Sequence, residues 1–128
     1  MTHEDYVTYE QAVKLKELGF DWKCYTFYHW DNWCGLSHSG IYENHNMFKK
    51  CISAPTLSQA QKWLREKGID ITPIPVTRDD ERKYRWALDR LNPRLRDWTD
   101  DIINNYEEAL SAGIDRALQL LTDKTEKK

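Results

Sequence analysis

The apolar and polar positions along the chain predict three amphipathic helices, each opened by the same kind of sequence. A short polar residue is followed by a large apolar residue, and Gln or Glu stands three positions after the polar one. This is the pattern of a capping box. The side chain of the polar residue accepts from the backbone N–H of the Gln or Glu, whose own side chain accepts from the backbone N–H of the polar residue. The cap residues are Thr8, Thr56 and Asn105, so the helices are predicted to begin near Tyr9, Leu57 and Tyr106.

Two of these helices are predicted to end at a glycine. Gly19 and Gly68 each come just after a helical apolar stripe and just before an apolar residue, which is typical of a left-handed C-terminal stop. The helices are therefore expected over residues 9–18 and 57–67, and the third over residues 106–121.

The segments between the first two helices have the composition of β-strands. Residues 22–30 are dense in aromatic side chains and contain neither Gly nor Pro, which favours a strand. Residues 31–40 are rich in turn formers and predict a long hairpin connection that returns at Ile41. Residues 47–54 are expected to form a further strand that ends at Pro55, because proline cannot donate a ladder hydrogen bond.

Residues 69–76 alternate with the period of a strand but include Pro73 and Pro75, so they are predicted to form an edge strand. Residues 78–104 fit both a strand and a helical stripe. A turn at Asn92-Pro93 and the apolar pair before the third cap favour strand, turn, strand.

These elements predict an α+β fold in which three helices pack on a mainly antiparallel sheet. A chain of 128 residues is long enough to bury one core, so a single domain is expected over residues 1–122. The charged residues 123–128 are expected to form a disordered tail.

Composition and charge argue against several classes of protein. The formal net charge of -2 gives no overall attraction to phosphate, and no apolar run approaches the roughly 18 residues of a membrane helix. Nucleic acid and membrane are therefore disfavoured as partners. The acidic N-terminus predicts no signal peptide, and three cysteines, an odd number, indicate free thiols in the cytoplasm.

Three segments of the chain carry a resemblance to a known family. Residues 5–20, 52–66 and 106–114 resemble a family of small uncharacterised proteins found in gut-bacterial genomes, often in prophages or other mobile elements. The resemblance implies a lineage with a variable hairpin between the first two segments. It implies no reaction, cofactor or catalytic residue.

Every cysteine and three of the four histidines fall within residues 24–51. Zinc needs four such donors in tetrahedral convergence, usually delivered as two tight pairs such as C-x-x-C. No tight pair is present, so we expect no metal and no cofactor, and a zinc-binding domain is kept as an alternative. The donors are Cys24, His29, Cys34, His38, His45 and Cys51.

Catalysis by Cys34 with His29 or His38, oriented by Asp31, is a weaker possibility, because neighbours on one loop rarely give the geometry of a triad. The run Asp79-Asp80-Glu81 is typical of a solvated turn. The sequence therefore predicts no catalytic residue and favours a non-enzymatic accessory or interaction protein.

The aromatic residues of the hairpin suggest where such a protein would bind. They exceed what one face of a small sheet normally buries, and exposed Tyr and Trp are favoured anchors for protein partners. Self-association through this hairpin or through the proline-bearing edge strand is also open. The predicted partner-binding residues are Tyr28, Trp30, Trp33 and Tyr42.

A single-stranded nucleic-acid-binding module is the main alternative. Residues 78–96 mix cationic side chains with aromatic ones, as in proteins that hold phosphates while bases stack. Acidic residues dilute this cluster, and a solvated strand face explains it as well. The candidate residues are Arg82, Lys83, Arg85 and Trp86.

Overall fold

The computed structural model describes the backbone of residues 5–126 and the side chains of residues 5–122. Three helices and two three-stranded antiparallel sheets make this an α+β fold, as predicted. The elements are α1 (Tyr9–Glu17), β1 (Cys24–His29), β2 (Ser37–Glu43), a 3-10 helix (His45–Met47), β3 (Cys51–Ser53), α2 (Leu57–Glu66), β4 (Ile69–Arg78), β5 (Glu81–Leu91), β6 (Arg94–Trp98) and α3 (Tyr106–Glu126).

The helix starts confirm the sequence pattern. Thr8 and Thr56 each form a complete capping box with the Gln three residues later. Asn105 Oδ1 accepts from the Glu108 N–H at 2.8 Å. At the helix ends, Gly19 and Gly68 have φ of 95° and 91°, the left-handed conformation that glycine adopts without a steric penalty. Local side-chain chemistry therefore sets where the helices begin and where the first two end.

The strands are antiparallel, as predicted, and they divide into two three-stranded sheets. The first sheet has the order β2-β1-β3 and the second has the order β4-β5-β6. Beyond β3, the segment before α1 lies against the segment before α2, with Val7 N–H bonded to Pro55 O at 3.1 Å and Leu57 N–H to Asp5 O at 2.9 Å. The N-terminal segment thus pairs with the residues that directly follow β3 and precede α2.

Pro73 and Pro75, which predict an edge strand, lie on β4 at the edge of the second sheet. Ile71 O accepts from Gln61 Nε2 of α2 at 2.8 Å, so this carbonyl points away from β5. Backbone groups of alternate residues in a strand point the same way, which places Pro73 and Pro75 at positions whose N–H would face outward. Because proline has no N–H, this edge offers few donors to another strand.

The strand predicted over residues 47–54 is shorter in the structure. Asn44 Oδ1 accepts from Asn46 N–H at 3.0 Å and opens the 3-10 helix. The Asn46 side chain then donates to Phe20 O at 2.9 Å and accepts from Ser53 N–H at 2.8 Å. The backbone between the 3-10 helix and β3 forms turns, with Phe48 N–H bonded to His45 O at 3.1 Å and Cys51 N–H to Phe48 O at 3.2 Å, and β3 is confined to Cys51–Ser53.

The ambiguous region forms strand, turn, strand, as predicted, with a turn at the cis Asn92-Pro93 bond between β5 and β6. The last helix extends to Glu126, past its predicted end. The backbone of residues 123–126, assigned to a tail by the sequence, is thus helical, and residues 127 and 128 lie outside the described residues. Among residues 5–126, no helix combines the length and apolar character that crossing a membrane needs.

One core joins the helices to the second sheet. It includes the predicted stripes of α2 and α3, and it continues onto Ile69 and Ile71 of β4 and Leu88 of β5. In the second sheet, α3 therefore packs on the face that carries Ile71 and Leu88, which are direct cross-strand partners. The opposite face of this sheet is left uncovered by the helices.

Gly113 marks the closest approach of α3 to the second sheet. A Cβ at this position would lie 2.5 Å from Ile71 Cγ2 and 3.3 Å from Trp86 Cβ. We expect Gly113→Ala to lower the free energy of unfolding by about 1–3 kcal/mol through overpacking, although Ala normally stabilises a helix relative to Gly. Urea denaturation would measure this, and a variant more stable than wild type would contradict the assigned contact.

Candidate functional site

Exposed large apolar side chains are concentrated in the hairpin of the first sheet. Among the described residues, seven of the eleven such side chains lie between residues 25 and 48. Two of them, Tyr25 and Tyr42, are in direct ring contact, and clustered apolar side chains on a protein surface are typical of binding sites. The name hairpin patch is used below for five of these residues, Tyr25, Trp30, Trp33, Ile41 and Tyr42.

Aromatic rings form a row along the outer face of β1. Tyr25 packs on Tyr42 with ring centroids 4.9 Å apart, and His29 packs on Trp33 at 5.5 Å. Between them, Phe27 contacts both His29 and the buried His45. Odd-numbered residues of β1 share this face because side chains alternate along a strand. The row therefore links Tyr42 at one end of the hairpin to Trp33 at the other.

The backbone that presents the two indoles is held in place. Trp30 N–H donates to Lys50 O at 3.1 Å, and Trp30 O accepts from the Tyr9 hydroxyl. The next turn is closed by Asn32 N–H to His29 O at 2.9 Å. The indoles themselves stay 57% exposed for Trp30 and 71% exposed for Trp33. Large rings on an anchored backbone lose little conformational entropy on binding, which suits contact residues.

Tyr28, one of the predicted partner-binding residues, lies on the other face of β1. Its ring packs against Tyr9 at 5.6 Å, and its hydroxyl donates to Val7 O at 2.8 Å. Burial, with a smaller contribution from the charge of Glu10, raises the pKa of Tyr28. Tyr28 thus holds the hairpin against the segment that enters α1, and it does not belong to the hairpin patch.

Two shallow grooves flank the Tyr42 side chain. One, of about 400 Å³, lies toward Trp22 and Lys62. The other, of about 280 Å³, lies toward Tyr6 and Thr56. Tyr42 and Gln59 line both grooves, so the half-exposed Tyr42 side chain separates one groove from the other.

The Cys and His residues of the hairpin have separate surroundings. Buried Cys24 donates to Thr26 O, and the buried imidazole of His45 bonds to Cys24 O at 2.9 Å. His38 contacts the ring of Tyr6. Across the described part of the chain, no group of three or more His, Cys, Asp or Glu side chains converges as metal ligands would.

No hydrogen bond joins a thiol to an imidazole within residues 5–122, although Cys51 and His29 are direct cross-strand partners. Exposed Cys34 has its Sγ 3.5 Å from Ser37 Oγ, while His29 lies against Trp33 and Phe27. Burial raises the pKa of Cys24, which favours the less nucleophilic thiol form.

The nucleic-acid candidates divide between the two faces of the second sheet. Trp86 lies on the α3 face, partly buried against the core and next to Gly113, and Arg82 shares its side of β5. Lys83 and Arg85 alternate to the uncovered face. Trp98 of β6, which the sequence did not single out, lies on this same face because it pairs with Ala87. It is 63% exposed.

Comparison with known proteins gives no relative: no family model, no curated protein and no solved structure matches this chain. Two exposed surfaces are candidates for binding: the hairpin patch on the first sheet and the uncovered face of the second.

Proposed function

We propose that this protein is a non-enzymatic interaction module that binds another protein through the hairpin patch. The observation that supports this most is the concentration of exposed aromatic and aliphatic side chains on one anchored hairpin. Tyr and Trp are enriched among the few residues that supply most binding energy at protein interfaces. The grooves beside Tyr42 would accept side chains of the partner.

The non-enzymatic part of the proposal is supported by how polar groups in the hairpin are used. His45 bonds a backbone carbonyl, Asn46 bonds two backbone groups, and Cys24 is buried. These are structural contacts, whereas catalysis needs polar groups that converge on a reacting atom. Three free thiols support a reducing compartment, so we place the protein in the cytoplasm.

The test compares capture of partners by three tagged proteins from lysate of cells that encode the chain. The patch variant carries Trp33→Ala and Tyr42→Ala, and the control carries Leu91→Ala and Tyr106→Ala, which remove exposed apolar surface elsewhere. Loss of a truncated hot-spot residue costs about 2 kcal/mol or more, so the patch variant should bind a captured protein at least about 30-fold more weakly.

Direct titration of the captured protein, after its identification by mass spectrometry, supplies the affinities. The proposal requires that wild type and control bind alike while the patch variant does not. A partner held equally by all three proteins would contradict it. Sedimentation of purified wild type would reveal whether a second copy is the partner, and a patch-dependent dimer would support the same surface.

A further inference from the structure

The uncovered face of the second sheet carries an exposed indole with guanidinium groups on both sides. Cross-strand register places Ala87 opposite Trp98 and Asp89 opposite Arg96, so Arg96 lies two residues from Trp98 along β6. Arg85 lies two residues from Ala87 in the other direction along β5, in the row of Ile74. Arg85 and Trp98 are therefore diagonal neighbours across the two strands, and such neighbours are about 7–8 Å apart, within reach of long side chains.

The carboxylates on this face have cationic neighbours, whereas two of its guanidinium groups form no ion pair within the described residues. Each of its carboxylates has a cationic neighbour within 4.0 Å: Asp70 has Arg65, Glu81 has Lys83 and Asp89 has Arg94. Arg85 and Arg96 form no ion pair within residues 5–122, and Arg85 Nε and Asp89 Oδ1 are both buried without a hydrogen-bond partner. Uncompensated charge on the face is therefore positive, although the chain as a whole is slightly negative.

A groove of about 260 Å³ runs beside the indole. Thr72 and Ala87 line it beside Trp98, together with Arg96 and the acidic residues Asp70, Asp89 and Asp97. Its volume is below the roughly 300–1,000 Å³ typical of sites that enclose a small molecule. An open hollow of this size suits one planar ring of a longer chain that continues past the site at both ends.

We propose that this face binds single-stranded nucleic acid, with one base stacked on Trp98 and the phosphates on its two sides held by Arg85 and Arg96. Base stacking on exposed aromatic rings and phosphate contacts from neighbouring cations are the two elements of sequence-tolerant single-strand binding. A duplex keeps its bases stacked within the helix and offers none to the indole. This site is separate from the hairpin patch and does not depend on the function proposed for it.

The exposed indole favours this ligand over an acidic protein segment. Both would meet the guanidinium groups, but only a base or another flat ring also uses the indole and the hollow beside it. Asp100 and Asp101 follow β6 and would repel phosphate. We therefore expect weak binding that is measurable at low salt and declines as salt is added.

The test is fluorescence anisotropy of a labelled single-stranded oligothymidine titrated with the full chain at several salt concentrations. Trp98→Ala should weaken binding about 5- to 150-fold, since stacking is worth about 1–3 kcal/mol per base. Trp98→Phe should recover part of the loss. Arg85→Gln and Arg96→Gln should each reduce the salt slope by about 0.7, the value per phosphate contact in single strands.

Matched controls lie on other surfaces of the protein. Trp33→Ala removes an exposed indole from the hairpin patch, and Arg90→Gln removes a guanidinium whose Nε bonds Pro93 O. Neither should change the affinity. Absence of salt-dependent binding, tighter binding of the matching duplex, or an affinity unchanged in Trp98→Ala would each overturn the proposal. Polyglutamate that competes fully with the oligonucleotide, with no effect of Trp98→Ala, would assign the face to acidic protein segments instead.

Discussion

Replacing Trp63 by Ala should lower the free energy of unfolding by about 3–5 kcal/mol, the usual cost of emptying a buried aromatic site. The Trp63 side chain is 3% exposed and lies at the centre of the core face of α2. Its ring meets Phe20 edge-on at a centroid distance of 5.6 Å, and Lys67 Nζ lies 5.0 Å from the ring centroid. Neighbouring helices and strands cannot collapse fully into so large a space.

Two control variants separate this packing effect from other causes. Trp33→Ala makes the same chemical change at an exposed position and should cost less than about 0.5 kcal/mol. Thr56→Ala removes the cap of the same helix and should cost about 1 kcal/mol. Urea denaturation followed by circular dichroism measures all three. A Trp63→Ala loss no larger than that of Thr56→Ala would mean that the buried face of α2 is wrongly assigned.

Features encoded within a few residues of one another could be predicted from the sequence. The cap at Thr56 and the stop at Gly68 depend on side-chain and backbone chemistry inside a single helix, so they needed no knowledge of neighbours. The prolines of β4 likewise identified an edge strand, because a missing N–H has the same consequence in any sheet.

The pairing of distant strands could not be predicted in this way. Alternation in β5 separates Trp86 from Arg85, but it does not say which face a helix will cover. The packing of α3 through Gly113 decides that Trp86 is partly buried and leaves the face of Arg85 open. Trp86 is the aromatic candidate that the sequence offers for a nucleic-acid site, whereas the stacking residue of the proposed site, Trp98, comes from the next strand.

The same limit applies to Tyr28 in the first sheet. Aromatic density predicted that some rings of the hairpin would be exposed, and the side chains of Trp30, Trp33 and Tyr42 are exposed. Which rings face inward depends on α1, whose Tyr9 packs on Tyr28. A contact between residues so far apart in the chain leaves no periodic signal.

Gln11 shows how a locally correct assignment can miss a second contact. Its side-chain oxygen accepts from Thr8 N–H at 2.9 Å, as the capping box predicts. The amide nitrogen of the same side chain donates to Ser111 O at 3.0 Å, Ser111 Oγ at 3.1 Å and Asp115 Oδ1 at 2.9 Å. Gln11 is 1% exposed, so this one amide satisfies the start of α1 and joins α1 to α3.

Gln11→Glu should therefore lower the free energy of unfolding by about 3–5 kcal/mol at neutral pH, as expected for an uncompensated buried charge. The new carboxylate would replace the donor to Asp115 and Ser111 with a group that accepts only, and its charge would face that of Asp115. Burial and the like charge would raise the pKa of the new carboxyl group in the folded state.

The sign of the pH dependence follows from that raised pKa. The neutral acid is favoured in the folded protein, so the variant keeps most of its stability below the ordinary Glu pKa and loses it as pH rises through the folded-state value. The deficit relative to wild type, measured by urea denaturation, should thus be smaller at acidic than at neutral pH.

Gln59→Glu is the matched control, because Gln59 holds the same capping-box position in α2 but is only partly buried. Glu at this position is compatible with the box and interacts favourably with the helix N-terminus, so the change should be within about 0.5 kcal/mol of neutral. Equal losses in the two variants would show that the damage lies in the capping box. A large loss confined to Gln11→Glu would place it in the contact between α1 and α3, which no local reading of the sequence can supply.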